Sequence, residues 1–378
     1  MKKIGVITFH ESDNYGTCLQ AFAVTKIVEQ LGYDCEILNY KRQSIPGQTP
    51  SLLSRIKYML KAYGIRDLGM RKEVAAQQKK QKERFEAFRQ KHLKYSTASY
   101  HSIEDLRQCT DLYDAFVTGS DMVWCSDRSE SLDVYFLQFA PNNKRIAYAP
   151  SFGSAQICGD LKPAYQKYLT EFEYLACREE SGVTLIKELA RREAALTVDP
   201  TLACDKSVWE TFTSEKVPNG PYILVYMFEG MPTWLQKTVR KVAARYQAEI
   251  LEVPMGAKQW CNSIRKGQDG ISPSDFVALF KNAKFVFTNS YHGLMFSLIF
   301  NKQFFVISRD NGGHWAQFED RLTGILRMIH CENRVLYKNQ KADLSGTVDY
   351  RQVNTKLDQL KADSLAYLNN ALHTAVKE

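Results

Sequence analysis

Residues 284–307 (KFVFTNSYHGLMFSLIFNKQFFVI) set a histidine, a glycine and three small polar residues between two apolar runs. The pattern is a short strand, a polar turn, a helix beginning near Tyr291, then a second strand. In an open α/β sheet such a turn lies at the carboxyl end of a parallel strand, where ligands bind. The free N–H groups of the new helix favour an anion there. Asn289, Ser290, His292 and Gly293 are therefore candidates for handling an anion, and His292 is the group able to exchange a proton near neutral pH. The same residues equally describe a capping turn around a half-buried histidine.

Other polar residues also stand where strands are expected to end. Arg178 follows an apolar run and precedes Glu179 and Glu180, so it either grips an anionic ligand or forms a local ion pair. Asp121 is either a base towards an acceptor hydroxyl or the cap of a helix starting at Met122–Trp124. Asn14 and Gly16 shape the loop before the first helix or touch an acceptor. Ser151 and Gly153 lie on a turn that either lines a cleft or only ends a strand. Asp199-Pro200 reads as a structural turn. His314 and Trp315 belong to a glycine-rich loop, where an aromatic either stacks on a sugar or is ordinary surface.

The elements that must position these residues form two series. The first opens with strand Ile4–Phe9, a polar loop, a helix over Cys18–Leu31 ended by Gly32, and strand Cys35–Asn39. A strand ending in a small-residue turn follows over 115–121, then strands at Arg145–Ala149 and Tyr174–Arg178 and one over 196–200 that stops at the proline. A turn signal at Pro218-Asn-Gly-Pro221 separates a second series: strand Tyr222–Met227, helix Trp234–Arg245, strand Glu249–Val253, helix Ser274–Lys281, then 284–307. The expected fold is α/β, with two Rossmann-like domains (1–205 and 220–345) facing one another across a cleft, and a C-terminal helix over 351–376. No Gly-x-Gly-x-x-Gly occurs, so the dinucleotide fingerprint is absent.

A chain of 378 residues exceeds what one core usually supports. Nine cysteines are scattered without a Cys-x-x-Cys pair, indicating neither a zinc site nor a disulfide framework. With no signal-peptide pattern and no long apolar run, a cytoplasmic location is expected. The net charge is +8, and the segment 52–94 alone holds thirteen Lys/Arg against four acidic residues, leaving the rest near neutral. This helical insertion (50–95) within the first domain is either a solvated arm or, over 55–94, a surface for acidic lipid or a diphosphate-linked acceptor. No nucleic-acid motif accompanies the charge, so nucleic acid is not expected as a partner.

Six motifs in order carry a resemblance: 14–21 (NYGTCLQA), 118–124 (TGSDMVW), 148–153 (YAPSFG), 178–181 (REES), 198–201 (VDPT) and 288–293 (TNSYHG). With them the chain resembles the polysaccharide pyruvyl transferase family. The resemblance implies a fold like that of two-domain GT-B glycosyltransferases. It also implies transfer of the pyruvyl group of phosphoenolpyruvate to sugar hydroxyls as a ketal, with release of phosphate. The family's acid corresponds to His292 and its donor-holding arginine to Arg178. Many members have Arg-Leu-His where this chain has Ser290-Tyr-His292, so another cation must meet the donor. Arg309 and Arg321 are the nearest candidates in sequence. The expected partners are phosphoenolpyruvate as co-substrate and a saccharide acceptor, lipid-linked and held near the membrane. No cofactor or metal is expected. The rival readings are a sugar-nucleotide glycosyltransferase on the same scaffold and a non-catalytic saccharide-binding protein.

Overall fold

Strands buried on both faces read as continuous apolar runs, and the two central strands here do so. Val6 and Ile7 in the first and all of Phe285–Thr288 in the second are buried. The computed structural model describes residues 1–42, 62–64, 66–126, 131–308, 320–338 and 343–377.

The first sheet is parallel, with β1 (Lys3–Ile7), β2 (Asp34–Tyr40), β3 (Tyr95–Tyr100), β4 (Ala115–Thr118) and β5 (Arg145–Ala147) in the order β3-β2-β1-β4-β5. A short parallel pair, β6 (Ala176–Cys177) and β7 (Ala195–Leu196), continues from its β5 edge through a bridge between Ile146 and Tyr174. The second sheet, β8 (Tyr222–Tyr226), β9 (Glu249–Glu252), β10 (Phe285–Thr288), β11 (Gln303–Ile307) and β12 (Val335–Leu336), is also parallel, in the order β12-β11-β10-β8-β9. β3 has no counterpart in the sequence expectation. Its YSTASY segment is mostly exposed in the middle, and an edge strand needs no apolar run.

In the first domain α1 (Tyr15–Gln30) follows β1, α2 (Arg71–His92) precedes β3, and α3 (Glu180–Ala190) links β6 to β7. In the second, α4 (Thr233–Arg245), α5 (Ala257–Arg265), α6 (Pro273–Asn282), α7 (Tyr291–Ile299) and α8 (Asp320–Met328) follow in turn. The long α9 (Tyr350–Ala375) returns to the first domain. There the Val198 N–H donates to Ser364 Oγ at 2.9 Å, and Tyr367 Oη–H donates to the Ala147 carbonyl at 3.0 Å.

The two domains share one apolar core. Tyr15 of α1 stacks on Phe276 of α6 at 4.6 Å between ring centroids. Trp209 meets Phe296 of α7 edge-on at 5.0 Å and Phe22 of α1 at 5.7 Å. This is why every residue of α7 is buried.

The basic helix α2 is bound to this seam. Val74, Phe85 and Phe88 are buried, and Phe85 packs on Tyr15 at 4.9 Å. Gln81 Nε2–H donates both to Tyr15 Oη and to the Ile271 carbonyl, each at 2.6 Å. The apolar residues that the sequence sets along 55–94 are, within α2, spent on packing. Its outer face, with Arg71, Lys72, Lys79, Lys80 and Lys82 exposed, remains solvated. Residues 43–61 lie outside the described residues.

Candidate active site

In each sheet the strand order reverses beside the domain's first strand, between β1 and β4 and between β8 and β10. Such switch points are where open sheets bind ligands. Residues beyond all four strands line a single cavity of about 650 Å³. They are Phe9–Ser12 and Asn14 after β1, Asp121 and Met122 after β4, Phe228 and Glu229 after β8, and 289–292 after β10.

His292 stands in the first turn of α7, whose cap is Ser290, with Oγ accepting from the Gly293 N–H at 3.4 Å. The first turn of α1 comes up against the same ring. A Cβ on residue 16 would fall 2.0 Å from His292 Nδ1, so only glycine permits this approach. Asn14 caps α1, its Oδ1 accepting from the Thr17 N–H at 3.2 Å. Two helix N-termini thus converge on the imidazole, and both macrodipoles favour an anion beside it.

Behind the ring lies Asp199, fully buried, its Oδ2 3.5 Å from His292 Nε2. Arg178 Nη1–H donates to that oxygen at 2.6 Å, and Oδ1 accepts from the N–H and hydroxyl of Thr201 at 2.9 and 2.6 Å. Burial pushes the Asp199 carboxyl up, yet His292 and Arg178 more than offset it and hold it well below the usual carboxylate range. The expected structural turn is present, since Asp199 caps the helical turn Pro200–Ala203. Sequence reasoning missed its second task, joining Arg178 to His292, although the motif containing it was in view.

Asp121 takes a left-handed backbone (φ 67°), which aspartate tolerates. Its Oδ2 accepts from the Thr17 hydroxyl at 2.8 Å and its Oδ1 from the Met122 N–H at 2.9 Å. No helix begins at Met122, so the capping role gives way to a turn whose aspartate lines the cavity. Burial raises this carboxyl, but His292, Arg178 and the Thr17 hydrogen bond leave it below its ordinary value.

Several expected contacts lie off the cavity. Arg178 is buried behind Tyr291, its guanidinium 4.2 Å from the ring centroid. Ser151, which does not line the cavity, donates to Glu179 Oε1 at 2.7 Å and accepts from the Gly153 N–H, bracing Glu179. Gly293 is glycine because a Cβ there would strike Thr288 Oγ1 at 2.2 Å, and its N–H is taken by Ser290. Asn289 lines the cavity, its Oδ1 accepting from the Phe228 N–H at 3.0 Å. Arg321 lines both the cavity and the crevice holding Arg178. Arg309, His314 and Trp315 lie outside the described residues.

His10 was not anticipated. It lines the cavity while almost wholly buried, its Nε2 3.2 Å from the Tyr40 carbonyl, and burial pushes it down to about 4. The only signal was its position as the first polar residue after the opening strand. Among the described residues no group of three or more His, Cys, Asp or Glu is placed to hold a metal ion.

The sequence model of polysaccharide pyruvyl transferases matches residues 14–311. The chain belongs to this family. Membership makes it a transferase of polysaccharide biosynthesis, and the match takes in every cavity residue named above except Phe9, His10, Glu11, Ser12 and Arg321. No curated protein matched the chain. Among solved structures, a variant of the wall teichoic acid polymerase TagF superposes with a TM-score of 0.50 at 10% identity, covering 100% of this chain and 89% of that one. Staphylococcus aureus MnaA with UDP follows at 0.46 and 11%, covering 95% and 88%. At such identity the likeness to TagF is one of fold alone, and the fold is GT-B-like.

Proposed function

We propose that this transferase moves the pyruvyl group of phosphoenolpyruvate onto two hydroxyls of a saccharide, forming a ketal and releasing phosphate. One observation carries the reading: His292 and Asp121 face one cavity where two helix N-termini converge. Arg321 supplies a cation at the same wall, and a planar guanidinium suits a donor bearing both phosphate and carboxylate.

In this reading His292 delivers a proton to the methylene carbon C3, leaving C2 electrophilic. A sugar hydroxyl then forms a bond to C2 while Asp121 takes its proton. The C2–O bond to phosphate breaks, phosphate departs, and a second hydroxyl closes the ring at C2. Of the two hydroxyl protons, one replaces that given to C3 and the other leaves with phosphate. The acceptor is a precursor of a bacterial surface polymer such as capsule or exopolysaccharide, carried on a lipid at the cytoplasmic face. No helix among the described residues is long and apolar enough to cross a membrane.

Phosphate release measured with phosphoenolpyruvate and a panel of lipid-linked glycans tests this. Phosphate appearing only when acceptor is present supports the reading. Sugar transfer from a nucleotide sugar, with phosphoenolpyruvate inert, overturns it.

A further inference from the structure

We propose that Asp199 is a positioning residue that selects the working nitrogen of His292. Its carboxylate holds the Nε2–H, so that Nδ1 trades a proton with the substrate. The proposal rests on the reading of His292 as the acid.

The hydrogen-bond geometry around Asp199 leaves one place for that proton. Thr201 occupies Oδ1 with two donors, and Arg178 Nη1 occupies one side of Oδ2. Ser120 Oγ is 3.2 Å from Oδ2 but only 2.8 Å from the Ala149 carbonyl, and it has a single proton to give. The serine hydroxyl serves Ala149 while accepting from Arg178 at 3.4 Å. Four lone-pair sites exist on a carboxylate, so one on Oδ2 remains for His292.

The histidine side argues the same way. Nε2 is sealed from solvent with Asp199 Oδ2 at 3.5 Å. A bare Nε2 would set its lone pair against a buried carboxylate and leave both unsatisfied, a costly arrangement. With Nε2–H directed at Asp199 the contact becomes attractive, and such bonds often tighten from a long unliganded geometry. Nδ1 fills the space that a Cβ on residue 16 would take, and, unlike Nε2, it is not among the sealed atoms of this cavity-lining residue. The carboxylate is rigid because Pro200 and Thr201 fix its turn, so the ring inherits a fixed orientation.

The test begins with the wild-type protein carrying ¹⁵N-labelled histidine, the His292 signals being assigned by their loss in His292→Asn. In the neutral ring the proton is expected on Nε2. A proton resident on Nδ1 overturns the proposal, whatever the donor substrate proves to be. In Asp199→Asn that preference should be lost and kcat should fall on the order of 1,000-fold, as for other histidines set in the wrong tautomer. The Kd for phosphoenolpyruvate, by calorimetry, should move less than about tenfold. An Asp199→Asn protein that keeps its melting transition and more than a tenth of wild-type kcat also overturns the proposal. If that variant does not fold, the wild-type spectrum decides. Failure of phosphoenolpyruvate as donor would show in the calorimetry of the wild type and leave the spectrum untouched, so the two ideas fail separately.

Discussion

Gly16 and His292 meet where the first turn of one helix abuts the first turn of another, and this contact makes a sharp prediction. Alanine is intrinsically better than glycine in a helix by up to about 1 kcal/mol, so Gly16→Ala judged on propensity alone should be harmless. Instead the added methyl must displace the imidazole. The variant is expected to lose about 1–3 kcal/mol of stability through overpacking and on the order of 100-fold in kcat, the loss a misplaced reacting group brings. His292→Asn should abolish turnover while leaving phosphoenolpyruvate affinity within about tenfold, or ~1.4 kcal/mol. More than a tenth of wild-type rate in that variant would remove it as the acid. The two arginines should separate. Arg321→Ala is expected to weaken donor binding, with Arg321→Lys an incomplete rescue because a point charge cannot replace a planar fork. Arg178→Ala strips the buried Asp199 of its ion pair and should cost about 3–5 kcal/mol of stability, read by denaturant unfolding. At this scale His292, Asp121 and Asn289 could be picked from sequence because they follow strands at carboxyl ends. The links of Asp199 to Arg178 and His292, and of Ser151 to Glu179, were not legible, since only the packing of separate strands shows which oxygen faces which donor.

Among elements, α2 departs furthest from its sequence appearance. Eight Lys or Arg against three Glu suggested a charged arm, yet Phe85 and Phe88 fix it to α1 while Val74 and Gln81 hold it to the second domain. Phe85→Ala should destabilise the whole protein by about 3–5 kcal/mol, the usual cost of emptying an aromatic site in a core, and lower the melting temperature accordingly. The outer lysines can be tested apart from this. Changing Lys79, Lys80 and Lys82 to Glu should leave stability nearly unchanged. If the face serves a lipid-borne acceptor, recovery with anionic liposomes at low salt should fall, each lysine near such a surface contributing about 1 kcal/mol. Equal flotation of both proteins would leave α2 a strut alone. The apolar strands and their following helices were legible because parallel sheets demand uniform burial. The edge strands β3 and β12 were not, because an edge makes no such demand.

For the molecule as a whole, the buried His10 ties stability to acidity. The unfolded chain takes up a proton near the ordinary value of 6.5, whereas the folded residue resists until about 4. Between those values the unfolded state binds more protons, so stability falls as pH drops through that window, by at most about 3 kcal/mol. His10→Gln should flatten that slope in denaturant unfolding followed from neutral pH to pH 4, and an unchanged slope would assign it to other groups. The plan of two parallel sheets was readable from the repeated strand–helix series. The return of α9 to the first domain was not, since its amphipathic face suits either partner.

The aromatic seam through Tyr15, Phe276, Trp209 and Phe296 has a kinetic consequence. Two-domain enzymes with a wet, polar interface spend part of each turnover opening and shutting, and relative motion is their default. Here opening would expose stacked rings to water and pull α9 from its anchorage at Val198 and Ala147. The catalytic cycle should therefore proceed on a nearly rigid body, with substrates diffusing through the mouth of a chamber already built. Small-angle scattering should give the same radius of gyration with and without saturating donor, and added viscogen should slow substrate encounter without lowering the maximal rate.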